Sequence, residues 1–322
     1  MSMESVVKQK TVVTQTAPKQ SLGKRLKDDF QRNRALYLMA LPVLAFYIIF
    51  HYVPMYGAII AFKDFSPMKG ILGSEWIGIQ HFKDFFGSIY FSRILFNTLN
   101  ISISTLIFGF PAPIILALLI NELRSKVFSR TVQTVTYMPH FVSLVVICGL
   151  IKEFTLDTGV VNQVLSVFGW KPVSMLNKPE LFVPIYVISN IWQEVGWGSI
   201  IYLAALTGID PQLYEAAKID GAGRFKQLIH ITIPGILPTI VILLILRMGR
   251  LLNVGFEKII LLYNPAIYET ADVISSFVYR KGLLEFNWSY SAAVGLFNSV
   301  INFFMLWSSN WLSRRLKGES LW

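Results

Sequence analysis

Ile209-Asp-Pro-Gln-Leu-Tyr-Glu-Ala-Ala-Lys-Ile-Asp-Gly-Ala-Gly-Arg-Phe225 is a polar island between two apolar runs, Leu181–Ala205 and Ile231–Leu251. Asp210 suits a helix N-cap and Pro211 the first helical position, while Gly221 suits a helix stop. The spacing predicts a helix over 211–220, about 15 Å long at 1.5 Å per residue. That is too short to cross a bilayer. Ala216 and Ala217 leave a smooth face on which another protein can pack closely. A helix merely lying on the membrane is the plainer reading, but Glu215 and Asp220, with Lys218 the one base in the helix, suit an anionic surface poorly.

Working outward, a spanning helix needs roughly 20 mostly apolar residues. Six segments qualify: Leu36–Phe62, Leu95–Ile120, Val132–Ile151, Leu181–Ala205, Ile231–Leu251 and Trp288–Trp311. Several contain prolines (Pro42, Pro54, Pro111, Pro113, Pro139, Pro184, Pro234, Pro238), which membrane helices tolerate where neighbours satisfy the freed carbonyls. The whole chain of 322 residues is 54% hydrophobic and 15% charged, with mean hydropathy +0.53. Soluble domains run roughly 45–50% apolar and about 25% charged, so an ordinary soluble enzyme and a disordered chain are both excluded. One cysteine, Cys148, sits in an apolar run and reads as packing. Four scattered histidines show no HExxH spacing, so no metal site is expected. The fold class is an all-α polytopic membrane protein with six transmembrane helices and no tandem repeat.

Where the charge of +10 sits decides what it means. With the N-terminus inside, 17 of the 29 Lys and Arg fall in the inner segments (1–35, 121–131, 206–230, 312–322) and 10 in the longer outer ones. This is the positive-inside pattern, so both termini are expected to be cytoplasmic and no nucleic-acid partner is needed. Residues 1–35 read as a basic cytoplasmic tail with no cleavable leader, 36–311 as the permeating domain, and 312–322 as a second cytoplasmic tail. Trp76, Trp170, Trp288, Trp307 and Trp311 cluster at span ends, as contacts with interfacial membrane lipid do.

Glu215-Ala216-Ala217, then Gly221, Ile231, Ile233 and Pro234, resembles the EAA signature of permease subunits in type I ATP-binding-cassette importers. The family usually has Leu where this chain has Ile233. Tyr214-Glu-Ala-Ala-Lys-Ile-Asp-Gly-Ala222, with Tyr137-Met-Pro-His-Phe-Val-Ser143 and Leu41-Pro42, is similar to the branch that imports oligosaccharides and polysaccharide fragments. The resemblance covers roughly 30–315. It implies that 206–234 is the coupling loop, whose Tyr214, Glu215, Ala216, Ala217, Asp220 and Gly221 dock a cytoplasmic ATPase. It also implies a bacterial plasma membrane location, a second homologous permease, two ATPase subunits and an external solute-binding protein. The outer loops read as long enough to hold short helices for that last partner. No G-x-x-x-x-G-K-[ST] loop occurs, so ATP and Mg are expected on a partner and no cofactor or catalytic residue in this chain.

Polar residues inside a bilayer are costly and mark function. Tyr186, Asn190, Gln193 and Trp197 fall on one helical face with Glu194 beside it, which suits a sugar path or, equally, interhelical hydrogen bonding. Arg247, Arg250 and Asn253 recur at spacings of three at the outer end of the fifth span. They either snorkel or pair with Glu194, or they line an outer mouth that attracts a uronate-type acidic oligosaccharide. Ser291, Gly295 and Ser299 form a small-residue packing ridge, with Asn298 and Asn302 beside it and open to either role. The rivals are an importer of amino acids or peptides, an ion-coupled transporter, for which the internal repeats are missing, and an intramembrane enzyme, for which paired catalytic groups are missing.

Overall fold

The computed structural model describes residues 29–317, so most of the expected 1–35 tail and the end of the 312–322 tail lie outside the described residues. The chain divides into two units, the first ending at Gly57. In the first unit, α1 (Arg34–Tyr47) runs through Pro42 and continues as a π-turn over Ile48–Tyr52.

The second unit begins with a two-residue antiparallel ribbon, Lys63–Asp64 against Glu75–Trp76, a small departure from the all-α expectation. Then come α2 (Phe91–Ser104), α3 (Pro111–Asn121), α4 (Lys126–Tyr137), α5 (Leu144–Thr155), α6 (Pro179–Thr207), α7 (Pro211–Ile219), α8 (Ile233–Met248), α9 (Phe256–Leu262), α10 (Ile274–Tyr279) and α11 (Trp288–Lys317). Among the described residues four helical stretches are long and apolar enough to cross a membrane: Arg34–Phe62, Phe91–Asn121, Arg224–Met248 and Trp288–Arg315.

The two remaining expected spans look different. Val132–Ile151 is not one helix: α4 and α5 meet at 101° across a short break. Pro139 has no N–H to continue the ladder and Val142 is extended, so the chain must turn there. α6 is continuous over 29 residues, but Asn190, Gln193 and Glu194 leave it less apolar than the four above. The fifth span also ends early, at Met248, and residues 249–253 fold into tight turns. Arg250 and Asn253 therefore lie beyond the helix, not on its face.

Helix α6 organises the core. Its N-terminal half packs Phe182, Tyr186 and Val187 with Ile101, Ile147, Ile259 and Val273, while its C-terminal half packs Tyr202 and Leu206 with Ala117 and Ile236. Close crossings are set by glycine: a Cβ at Gly196 would lie 2.1 Å from the Thr136 carbonyl oxygen, and one at Gly198 3.1 Å from Pro113. The expected ridge on α11 packs only at Ser291, whose Oγ donates to the Val278 carbonyl beside Gly282. The space beside Gly295 is open and Ser299 is exposed, so among the described residues the rest of that ridge is not closely packed.

Candidate coupling element and translocation path

The short helix forms where the sequence places it and is fixed at both ends. The Asp210 carboxylate accepts from the Gln212 N–H at 2.9 Å, and Pro211 occupies the first turn. At the other end Gly221 adopts φ +76°. That conformation lets the Ala222 N–H reach the Ala217 carbonyl at 2.8 Å and the Gly221 N–H reach Lys218 at 3.1 Å, closing a Schellman cap. Tyr214 ties the helix to its neighbour, its Oη lying 3.0 Å from Thr232 Oγ1 at the start of α8. Glu215, Ala216 and Asp220 remain exposed, as do Leu213, Ile219 and Phe225. The element is thus a rigid, partly apolar knob anchored to two long helices.

The polar stripe of α6 divides between two neighbours. Tyr186 and Gln193 are buried toward α9, where the Lys258 ammonium donates to Gln193 Oε1 at 3.4 Å and lies 5.6 Å from the Tyr186 ring centroid. Glu194 and Trp197 turn toward the α4–α5 bend. There Glu194 Oε2 lies 3.0 Å from His140 Nδ1, and the His140 ring stacks on Trp197 at 4.6 Å with the planes 2° apart. Phe141 meets the same indole edge-on. Asn190 is half-buried and its side chain makes no hydrogen bond among the described residues. Trp197 is 44% exposed, so an aromatic plate beside a carboxylate stays open to a ligand.

The arginine row behaves differently from the expectation of a Glu194 pair. Glu194 takes His140 as its partner, while Arg247 and Arg250 are exposed and carry no ion pair among the described residues. Asn253 instead gathers the two asparagines of α11. Its Oδ1 accepts from Asn298 Nδ2 and Asn302 Nδ2, each at 3.0 Å, and Asn302 Oδ1 accepts from the Leu252 N–H. This cluster clamps the turn after α8 onto α11.

Residues 109–318 match the model of the binding-protein-dependent transport system inner membrane component family. The chain belongs to this family. The polygalacturonan/rhamnogalacturonan transport system permease protein YteP of Bacillus subtilis (strain 168) is 44% identical over 94% of this chain and 95% of that one. The crystal structure of a bacterial ABC transporter involved in the import of the acidic polysaccharide alginate contains a chain 48% identical, with TM-score 0.84, over 91% of this chain and 99% of that one. A bacterial alginate ABC transporter in complex with an alginate pentasaccharide-bound periplasmic protein gives 46% identity and TM-score 0.85, over 92% and 100%. The architecture is therefore the type I importer permease fold, and the chain is a membrane transport subunit.

Two residues of this permease escaped the sequence reading. His140 stood inside the quoted Tyr137–Ser143 motif without a role, although it precedes the break that aims it at α6. Lys258 was counted only as an outer-loop charge. Its signal was local: a lysine followed directly by Ile259-Ile-Leu-Leu262, one turn from Leu262 on the buried face.

Proposed function

We propose that this chain forms half of the translocation path of an ATP-driven importer of oligosaccharides, with acidic, uronate-type chains as the substrate. In this reading it spans the membrane six times, the bent α4–α5 pair and α6 serving as third and fourth spans, with both termini cytoplasmic. A second homologous permease completes the path, an external binding protein delivers the sugar, and two ATPase subunits carry ATP and Mg. The observation that carries the reading is the coupling element, a capped helix with exposed Glu215 and Ala216, pinned to α8 through Tyr214 and Thr232. Nucleotide-driven movement of a rigid knob is passed to the attached helices as a body, switching the path between inward- and outward-facing states.

For the sugar, hydroxyls need amides and carboxylates while apolar ring faces lie on aromatics. Gln193, Glu194, Asn190 and the open Trp197 plate supply both. Arg247 and Arg250, without an ion pair among the described residues, support an acidic substrate, as do the substrates of the relatives, polygalacturonan/rhamnogalacturonan and alginate. Co-purification in mild detergent tests the reading. The wild type is expected to bring down an ATPase, and Glu215→Lys and Gly221→Asp to lose it. A wild type that brings down no ATPase refutes it.

A further inference from the structure

Among the described residues Lys258 is the one lysine or arginine that is buried, at 4% exposure. Its ammonium has three N–H donors, yet the structure gives it a single long acceptor, Gln193 Oε1 at 3.4 Å, and the face of Tyr186. Glu194, the neighbouring carboxylate on α6, is held by His140. Cys148 on α5 completes the surroundings and offers at most a weak acceptor.

The same outer segment shows how a charge buried for structure is treated. Asp272, fully buried, receives Arg280 Nη2 at 2.6 Å and Nη1 at 3.2 Å and the Ser276 hydroxyl at 2.8 Å. That carboxylate is fully compensated. Lys258 is not, although a buried unpaired charge is among the costliest features a fold carries. An ammonium left short of acceptors, on the polar stripe of α6, fits a partner that arrives from outside the chain.

We infer that Lys258 is the specificity-determining residue of the path, with its ammonium, held ready by Gln193 and Tyr186, binding the carboxylate of an acidic sugar unit. The inference rests on the oligosaccharide reading above and deepens it by assigning charge selection to a residue. Glu194 Oε2 lies 3.0 Å from His140 Nδ1, so among the described residues the Lys258 ammonium has no carboxylate in hydrogen-bond contact. A neutral sugar offers the ammonium hydroxyl oxygens but no opposite charge, so it forms the weaker hydrogen bonds and charge discrimination follows from the same geometry. Because Lys258 is 4% exposed, access by the carboxylate requires α9 and α6 to part.

The test uses the complete transporter, with its partner permease, ATPase and binding protein, in proteoliposomes supplied with a labelled uronate trisaccharide. Lys258→Gln is expected to lower uptake about 10- to 100-fold, the scale of one lost charge-assisted hydrogen bond. Lys258→Arg is expected to restore most of it. Lys258 has no ion-pair partner among the described residues, so Lys258→Gln strands no opposite charge, and size-exclusion of the complex checks folding directly. Lys258→Gln uptake within twofold of wild type overturns the inference, and so does equal loss in both variants, which would mark a packing role. A wild-type transporter that imports no uronate oligomer overturns the functional reading itself, so the two failures are distinguishable.

Discussion

Gly221 offers the sharpest separation between a conformational and a steric role. Its φ of +76° lies in the left-handed region, and an added Cβ there would meet nothing within 4 Å. The whole cost of Gly221→Ala is therefore backbone strain, about 1–2 kcal/mol for an L-residue held left-handed. The alternative is to unwind the cap, giving up the Ala222–Ala217 and Gly221–Lys218 hydrogen bonds and freeing the end of α7. If the ATPase recognises the capped form, its apparent dissociation constant rises by the same free energy, about 5- to 30-fold. Gly221→Asn is expected to lose much less, because asparagine tolerates this conformation. Titrating the ATPase subunit onto the permease in lipid nanodiscs reads both variants. Gly221→Ala binding within twofold of wild type, or equal weakening by Asn and Ala, refutes the argument that the left-handed cap shapes the docking knob.

Gly196→Ala drives a methyl into the Thr136 carbonyl at 2.1 Å, so folded yield and detergent thermostability are expected to collapse. Gly149→Ala, in the open, is expected to raise stability by roughly 0.5–1 kcal/mol. Arg280→Gln removes the two-pronged partner of the buried Asp272 carboxylate, leaving it the Ser276 hydroxyl and Arg93 at 4.0 Å, and is expected to cost about 1.5–3 kcal/mol, read as a lower thermal midpoint. Lys258 is also expected to set a pH dependence. Burial lowers its ammonium from the usual lysine value to about 8, with Cys148 on α5 and Tyr186 and Glu194 on α6 as the titratable groups facing it. The charge is present below that value and lost above it. Uronate uptake is therefore expected to fall as pH rises from 7 to 9 in wild type, while Lys258→Arg gives a flat profile.

Much of the candidate coupling element was legible because each of its determinants is local. A cap carboxylate, a first-turn proline and a left-handed glycine act over a few residues, and the helix stops where they say. The candidate path was legible only as a stripe. Helical spacing puts Tyr186, Gln193 and Trp197 on one face, but which neighbour each meets depends on how α4, α5 and α9 cross α6. Arg250 and Asn253 were misplaced because a run of apolar residues does not reveal that a helix stops at Met248 and turns. Val132–Ile151 was taken as one span because its apolar content is the same whether the chain runs straight or bends at Pro139.

The sequence by itself determined the class, the short capped helix and the family, since apolar run length, charge asymmetry and cap chemistry depend only on residues near one another along the chain. Tertiary structure alone decided that Glu194 belongs to His140 rather than to Arg247, that Asn253, Asn298 and Asn302 form one cluster, and that Lys258 is buried nearly without partners. Those pairings join residues 45 to 65 positions apart. They are set by close helix crossings, of which the glycine contacts on α6 are the clearest, and no periodicity within a single segment encodes which faces such crossings bring together.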